Sequence, residues 1–310
     1  MSPTARKIIW RIIQAATIIL IFYYLGRQVV VNWAMVTTYD WRINYLLLAI
    51  SVLCVVGTFF VFSSVWRFII LALGRQIGHR KAFKISYIAN LGRYIPGRIW
   101  QMFGMIYLAK KEGITEEEAL TSFGMNQLFG IPSGLLAGIV CLMLSPGVLQ
   151  RYSIVPFLSL GIVVVGAVIL AVSLGVVFFP QRAEGMLNRI FVLFKRHPVR
   201  LQMNKSLAAS IYGGYFLGWM LYGVSFWIFL KGTVALEAPF FPLIGLFVIA
   251  YQIGYLALFA PGGVGPREAV ITLMLAPFCG PAVAAAIAIA SRLWLIAAES
   301  LAALIAFRIK

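Results

Sequence analysis

Four arginines and two glutamates lie in or beside long apolar runs, and their spacing limits the chemistry open to them. Arg93 and Arg98 flank Pro96-Gly97 in LGRYIPGR. Arg267 and Glu268 follow Pro261, Gly262, Gly263 and Gly265 in APGGVGPRE, and Arg292 and Glu299 stand seven residues apart in a third run. A guanidinium at the centre of a membrane span costs roughly 2.5–3.5 kcal/mol on insertion scales, so it is expected to face a partner, water or substrate. Pro266 suits the first turn of a new half-helix, whose N-terminal amides and dipole attract an anion. The four arginines exceed the two glutamates by two charges, which suits a phosphate-bearing ligand. These twelve positions, Arg93, Pro96, Gly97, Arg98, Pro261, Gly262, Gly263, Gly265, Arg267, Glu268, Arg292 and Glu299, are the candidate substrate-binding residues. A competing expectation is structural. Arg292 and Glu299 share a helical face and could form an internal ion pair with Arg267 and Glu268 completing a network, while Arg93 and Arg98 could snorkel to the interface.

Other chemistry is poorly supported. His79 and His197 fall in basic loops, and Cys54, Cys141 and Cys279 share no motif spacing, so no metal, disulfide or histidine-based catalytic centre is expected. Gly263-x-Gly265 is a fragment of the dinucleotide fingerprint, but Glu268 occupies the third small position and no strand-helix-strand unit surrounds it. No ATP-binding loop is present, and no cofactor is expected. Glu268 is the one good candidate for a general base, so transferase chemistry would have to run through it.

The elements that would position these residues are membrane spans. The 310 residues are 62% hydrophobic and 11% charged, with a mean hydropathy of +0.95, well outside the composition of a soluble globule. Six runs are long enough to span a bilayer: about 8–25, 43–73, 119–144, 153–179, 207–231 and 281–307. The first carries Arg6, Lys7 and Arg11 without a small-residue cleavage site and reads as a retained span. Arg67, near the end of the second, is expected to snorkel. Within 182–205, Met186, Leu187, Ile190, Phe191 and Phe194 recur at helical spacing among basic residues, as in an interfacial helix.

Seventeen of the 26 lysines and arginines fall in five clusters, at residues 6–11, 75–84, 110–111, 182–205 and 308–310. Placing these on one side leaves only Arg27, Arg42, Arg151 and Lys231 opposite, so both termini are expected in the cytoplasm. The net charge of +17 then reflects topology and anionic headgroups, and nucleic-acid binding is not needed to explain it. Residues 83–109 begin and end at basic loops, and residues 240–278 would begin and end outside. Both read as re-entrant hairpins, broken at Pro96-Gly97 and Pro261-Gly262, 165 residues apart. The expectation is an all-α polytopic membrane protein with six transmembrane helices plus two re-entrant helical hairpins. Its single domain, 1–310, would be an inverted repeat of halves at about 1–150 and 151–310, with the broken segments meeting at the substrate site. The alternative is eight crossings, with both segments as proline-kinked spans.

LGRYIPGRIWQMFGMIYLAKKEGI (91–114) followed by APGGVGPREAV (260–270) resembles the paired motifs of the flippase-like lysylphosphatidylglycerol synthase transmembrane region. In larger members this region resembles the lipid-flipping half of a bifunctional enzyme whose soluble half transfers an aminoacyl group to phosphatidylglycerol. With Lys310 just past the last apolar run, the expectation here is the flippase-like module alone and not an enzyme. The resemblance implies movement of an anionic lipid, either a phospholipid or a polyprenyl-phosphate-linked glycolipid, between leaflets of the inner (plasma) membrane. The alternatives are an integral-membrane transferase, or an accessory or scaffold protein in envelope glycolipid synthesis. A homo-oligomer or an envelope-biosynthesis partner stays open.

Overall fold

The computed structural model describes residues 33–94, 99–144, 155–193, 197–236, 238–257 and 260–309, with a few residues between 23 and 31. The expected first span, 8–25, lies outside the described residues except for Tyr23. The described helices are α1 Trp33–Thr38, α2 Tyr45–Ala72, α3 His79–Leu91, α4 Ile99–Lys110, α5 Glu116–Met143, α6 Val155–Phe178, α7 Pro180–Leu193, α8 Lys205–Lys231, α9 Phe240–Leu256, α10 Pro266–Cys279 and α11 Pro281–Arg308. Short 3-10 turns at Gly92–Tyr94 and Pro261–Gly263 follow α3 and precede α10.

Four of the expected spans appear as α2, α5, α8 and α11, each long and apolar enough to cross a membrane. The segment Val164–Phe178 meets Pro180–Met186 at 91° and makes a fifth if the pair is counted as one span. The chain is thus a multi-pass, all-helical membrane protein, with no strand among the described residues. The helix expected from the periodicity within 182–205 is α7, starting slightly earlier and described as far as Leu193, with Phe194 outside the described residues.

Local signals set the helix starts. The Asn44 side chain accepts from Leu47 N–H at 3.1 Å and Asn204 from Leu207 N–H at 2.8 Å. Thr115 and Glu118 form a reciprocal capping box at the head of α5. Arg67, expected to snorkel, instead donates through Nε to Ile77 O at 2.6 Å and fastens the loop after α2.

Packing relates the two halves. At the centre α2 lies antiparallel to α8: Asn44 N–H donates to Gly232 O at one end and Gln202 N–H to Ala72 O at the other. On either side the same neighbours recur. Helix α2 packs on α3, α3 on α4 and α4 on α5, as α8 packs on α9, α9 on α10 and α10 on α11. The last helix of each set crosses to the other, α5 onto α8 and α9, α11 onto α2 and α3. Small residues allow the close approaches that lipid-embedded helices depend on. A Cβ at Gly245 of α9 would lie 2.7 Å from Gly138 O of α5.

Three of the basic clusters, at 75–84, 110–111 and 308–310, lie at one end of the described structure. Arg75 pairs with Glu118 at 3.0 Å, Lys81 with Glu112 at 2.7 Å, and Lys84 Nζ donates to Ile309 O at 2.8 Å. Helices α3 and α4 therefore start and finish at one end of the molecule. Residues 41–44 and 232–234 meet at the opposite end, where α9 begins. At 13 and 12 residues, α3 and α4 are about 20 Å and 18 Å long, too short to cross a hydrocarbon core of about 30 Å alone. They fold back on each other, with Gln101 of α4 donating to Asn90 of α3 at 3.1 Å.

Candidate functional site

The reversal between α3 and α4 depends on Gly92, where a Cβ would sit 2.7 Å from the backbone of Trp100 and Gln101. The next residue, Arg93, is buried and reaches across to α11. Its Nη2 pairs with Glu299, its Nη1 donates to the Tyr251 hydroxyl at 2.6 Å, and Tyr94 OH also donates to Glu299. Tyr87 of α3 donates to Glu299 O at 3.0 Å. Glu299 of α11 thus holds the turn after α3 through its carboxylate and α3 itself through its backbone carbonyl. Pro96, Gly97 and Arg98, the rest of the first expected break, lie outside the described residues.

The second break is built from glycines in left-handed conformations, with φ of 58° at Gly262, 70° at Gly263 and 96° at Gly265. L-residues with a Cβ resist this region. Space forbids a side chain as well, since a Cβ at Gly262 would lie 2.7 Å from the Tyr94 ring and one at Gly263 2.9 Å from Gly254 O. Pro266 then opens α10, and Glu268 Oε2 accepts from Gly265 N–H at 2.7 Å. The expected half-helix terminus is present, but its own carboxylate occupies the Gly265 amide. The positive charge at this end therefore resides chiefly in the side chains.

Those side chains converge. Arg267 Nη2 lies 2.8 Å and Arg292 Nη1 3.5 Å from Glu268 Oε1, and Arg292 Nη1 also donates to Gly262 O at 3.2 Å. The Arg93 and Arg292 guanidiniums stand 5.1 and 5.8 Å from the Tyr94 ring centroid, so Tyr94 is wedged between the two breaks. Three guanidiniums against two carboxylates leave the described cluster with one net positive charge. Arg267 and Glu268 are close enough to attract but not aligned for a hydrogen bond. Arg93 Nε, Arg267 Nε and Arg267 Nη2 remain buried donors with no hydrogen-bond partner.

The expected network exists with different partners. Arg292 and Glu299 do not pair: seven residues along a helix separate them by about 10.5 Å of rise, so Glu299 serves the first break and Arg292 the second. Arg267 meets Glu268, not Glu299. Of the candidate residues, Arg93, Gly262, Gly263, Gly265, Arg267, Glu268, Arg292 and Glu299 come together at the middle of α11, where the two 3-10 turns touch. No cluster of three or more His, Cys, Asp or Glu suited to a metal occurs among the described residues.

Beside this cluster lies a cavity of about 150 Å³ that reading the charges alone did not anticipate. Its walls include Asn90, Gln101, Asn126, Gln127 and Gln252, with the rings of Trp66, Tyr215, Trp219, Tyr222 and Tyr251. Tyr251 and Tyr255 also line a smaller pocket with Arg93, Gly254, Gly262, Gly263 and Arg267, so the two spaces share a wall. The signal for the larger one was available: Asn90, Asn126-Gln127 and Gln252 interrupt apolar runs, where an unmatched carboxamide is costly.

The sequence model of the family described as the lysylphosphatidylglycerol synthase TM region matches residues 9–302. No match is found among curated proteins. The chain belongs to that family, one of membrane proteins with lipid-related function.

Proposed function

We propose that this member of the family is a flippase that moves an anionic lipid between leaflets, with the lipid phosphate held where the two breaks meet. The observation that carries the reading is a buried, net-positive cluster at mid-height of α11 in which Arg93 Nε and Arg267 Nε have no hydrogen-bond partner. A phosphate supplies the charge and the acceptors such donors lack. The headgroup travels through the protein while the acyl chains stay in lipid.

The topology proposed is six spans and two re-entrant hairpins in one domain, halves 1–150 and 151–310 inverted relative to each other, with both termini in the cytoplasm. The matching neighbours of α2–α5 and α8–α11 support it, as do the gathering of basic loops at one end and hairpins starting from opposite ends. Non-helical backbone at membrane depth survives only where protein or a polar cavity surrounds it. The breaks at 92–94 and 261–265 meet that condition.

A transferase would use Glu268 as its base. That carboxylate is fully buried and engaged by the Gly265 amide and two arginines, an arrangement suited to holding charge more than to accepting a substrate proton.

The test is reconstitution into vesicles containing a fluorescent short-chain phosphatidylglycerol, with loss of signal to an impermeant reductant reporting scrambling. The expected result is movement of phosphatidylglycerol that falls at least tenfold in Arg267→Ala at equal insertion. Equal rates for Arg267→Ala and the unaltered protein overturn the reading, as does a covalent lipid product abolished by Glu268→Gln.

A further inference from the structure

The amide-rich cavity beside the ion cluster has its own chemistry. Its described lining contains no aspartate, glutamate, lysine or arginine. Asn90, Gln101, Asn126, Gln127 and Gln252 contribute carboxamides from α3, α4, α5 and α9. Some of this polarity is internally paired: Tyr215 OH donates to Asn126, Tyr255 OH donates to Gln127 at 2.8 Å, and Gln101 donates to Asn90. Four polar atoms on the lining are not. Trp66 Nε1, Ser86 Oγ, Tyr222 OH and Gln252 Nε2 are buried without a hydrogen-bond partner, and Trp66, Tyr222 and Gln252 are each 1% exposed. An orphaned buried polar group costs roughly 1–3 kcal/mol, so the polarity around this cavity is incompletely satisfied within the protein.

Trp66 Nε1–H can only donate, and the Gln252 nitrogen donates as well. The hydroxyls of Tyr222 and Ser86 can donate or accept. Trp219, Tyr222 and Tyr251 add ring faces. Aromatic rings by themselves could cradle an ammonium, but the lining supplies no carboxylate to balance one, and the guanidiniums behind the Tyr251 wall oppose a cation. A ligand with many hydroxyls satisfies donors and acceptors alike and presents C–H faces to the rings.

We propose that this cavity is the subsite for an uncharged, hydroxyl-rich headgroup, a glycerol, inositol or sugar, whose phosphate occupies the adjoining arginine cluster. This rests on the flippase reading and narrows its substrate to polyol-bearing phospholipids or phosphoisoprenoids, against headgroups that carry an ammonium.

Binding, measured by native mass spectrometry on the purified full chain, separates the possibilities. The probes are dihexanoyl-phosphatidic acid, dihexanoyl-phosphatidylinositol, dihexanoyl-phosphatidylethanolamine, farnesyl phosphate and farnesyl-phosphoryl-glucose. The polyol-bearing member of each family is expected to bind at least tenfold more tightly than its bare phosphate, and the tighter of the two pairs identifies the lipid source. Gln252→Leu, and independently the milder Trp66→Phe, reduce that preference several-fold while bare-phosphate affinity is unchanged. No preference for the polyol, or tightest binding of phosphatidylethanolamine, overturns this inference and leaves an anionic-lipid site standing. Failure of all five probes to bind overturns the inference and the flippase reading together.

Discussion

Arg93 and Glu299 provide the sharpest check on how the breaks are held. The two side chains are 8% and 6% exposed and face each other between the end of α3 and the middle of α11. In Glu299→Leu, Arg93 keeps only the neutral hydroxyls of Tyr251, at 2.6 Å, and Tyr94, at 3.4 Å. A buried guanidinium without a counter-charge costs about 3–5 kcal/mol. Arg93→Met leaves Glu299 buried with Tyr94 as its remaining side-chain donor, at a similar cost. In the double variant both charges are gone and the space is filled by apolar side chains, so the chief remaining loss is the Tyr94 hydroxyl's acceptor, about 1 kcal/mol. The expected coupling between the sites therefore exceeds about 3 kcal/mol, the double variant being more stable than either single one. Denaturant titration in mixed micelles, with intrinsic fluorescence as the signal, measures it. Stability losses that simply add would show that the two residues do not depend on each other, and the account of the first break would fail. In the vesicle assay the folded double variant should still move phosphatidylglycerol poorly, because it lacks the Arg93 guanidinium.

Two further outcomes follow from the backbone. Gly262→Ala places a Cβ 2.7 Å from the Tyr94 ring at a φ of 58°, so the breaks must part; a thermal midpoint lower by several degrees and slower lipid movement are expected, and an unchanged protein would refute the wedge at Tyr94. Thr115→Ala removes the capping hydroxyl at the head of α5, far from the site, and should cost about 1 kcal/mol in the same titration while leaving lipid movement unchanged per folded molecule.

Much of the helical frame was legible because membrane spans announce themselves one residue at a time. Most positions of 45–72 and 281–308 are apolar on their own account, and Asn44, Thr115, Asn204 and Pro281 mark the starts locally. The second break was legible for the same reason, since Gly262, Gly263 and Gly265 are crowded between Pro261 and Pro266. Which charge meets which was not. Arg292 and Glu299 look like partners along a helix face, yet their side chains are drawn to turns that sequence separation hides. Glu299 finds Arg93, 206 residues away, and Arg292 finds the carbonyl of Gly262.

The cavity escaped for a different physical reason. A carboxamide carries no formal charge and can pair with donor or acceptor alike, so Asn90, Asn126 and Gln252 do not say one by one what they meet. They matter only once α3, α5 and α9 set them around a common space. Crossing of the last helix of each half onto the other half makes that convergence possible: α5 lies on α9 and α11 lies on α3. The arginine cluster thus forms on one side of the Tyr251 wall and the carboxamides on the other. A binding region composed this way draws each of its two chemistries from both halves of the chain, with Arg93 beside Arg267 and Asn90 beside Gln252. Neither half alone lines either space, since Arg93 and Asn90 come from one and Arg267 and Gln252 from the other.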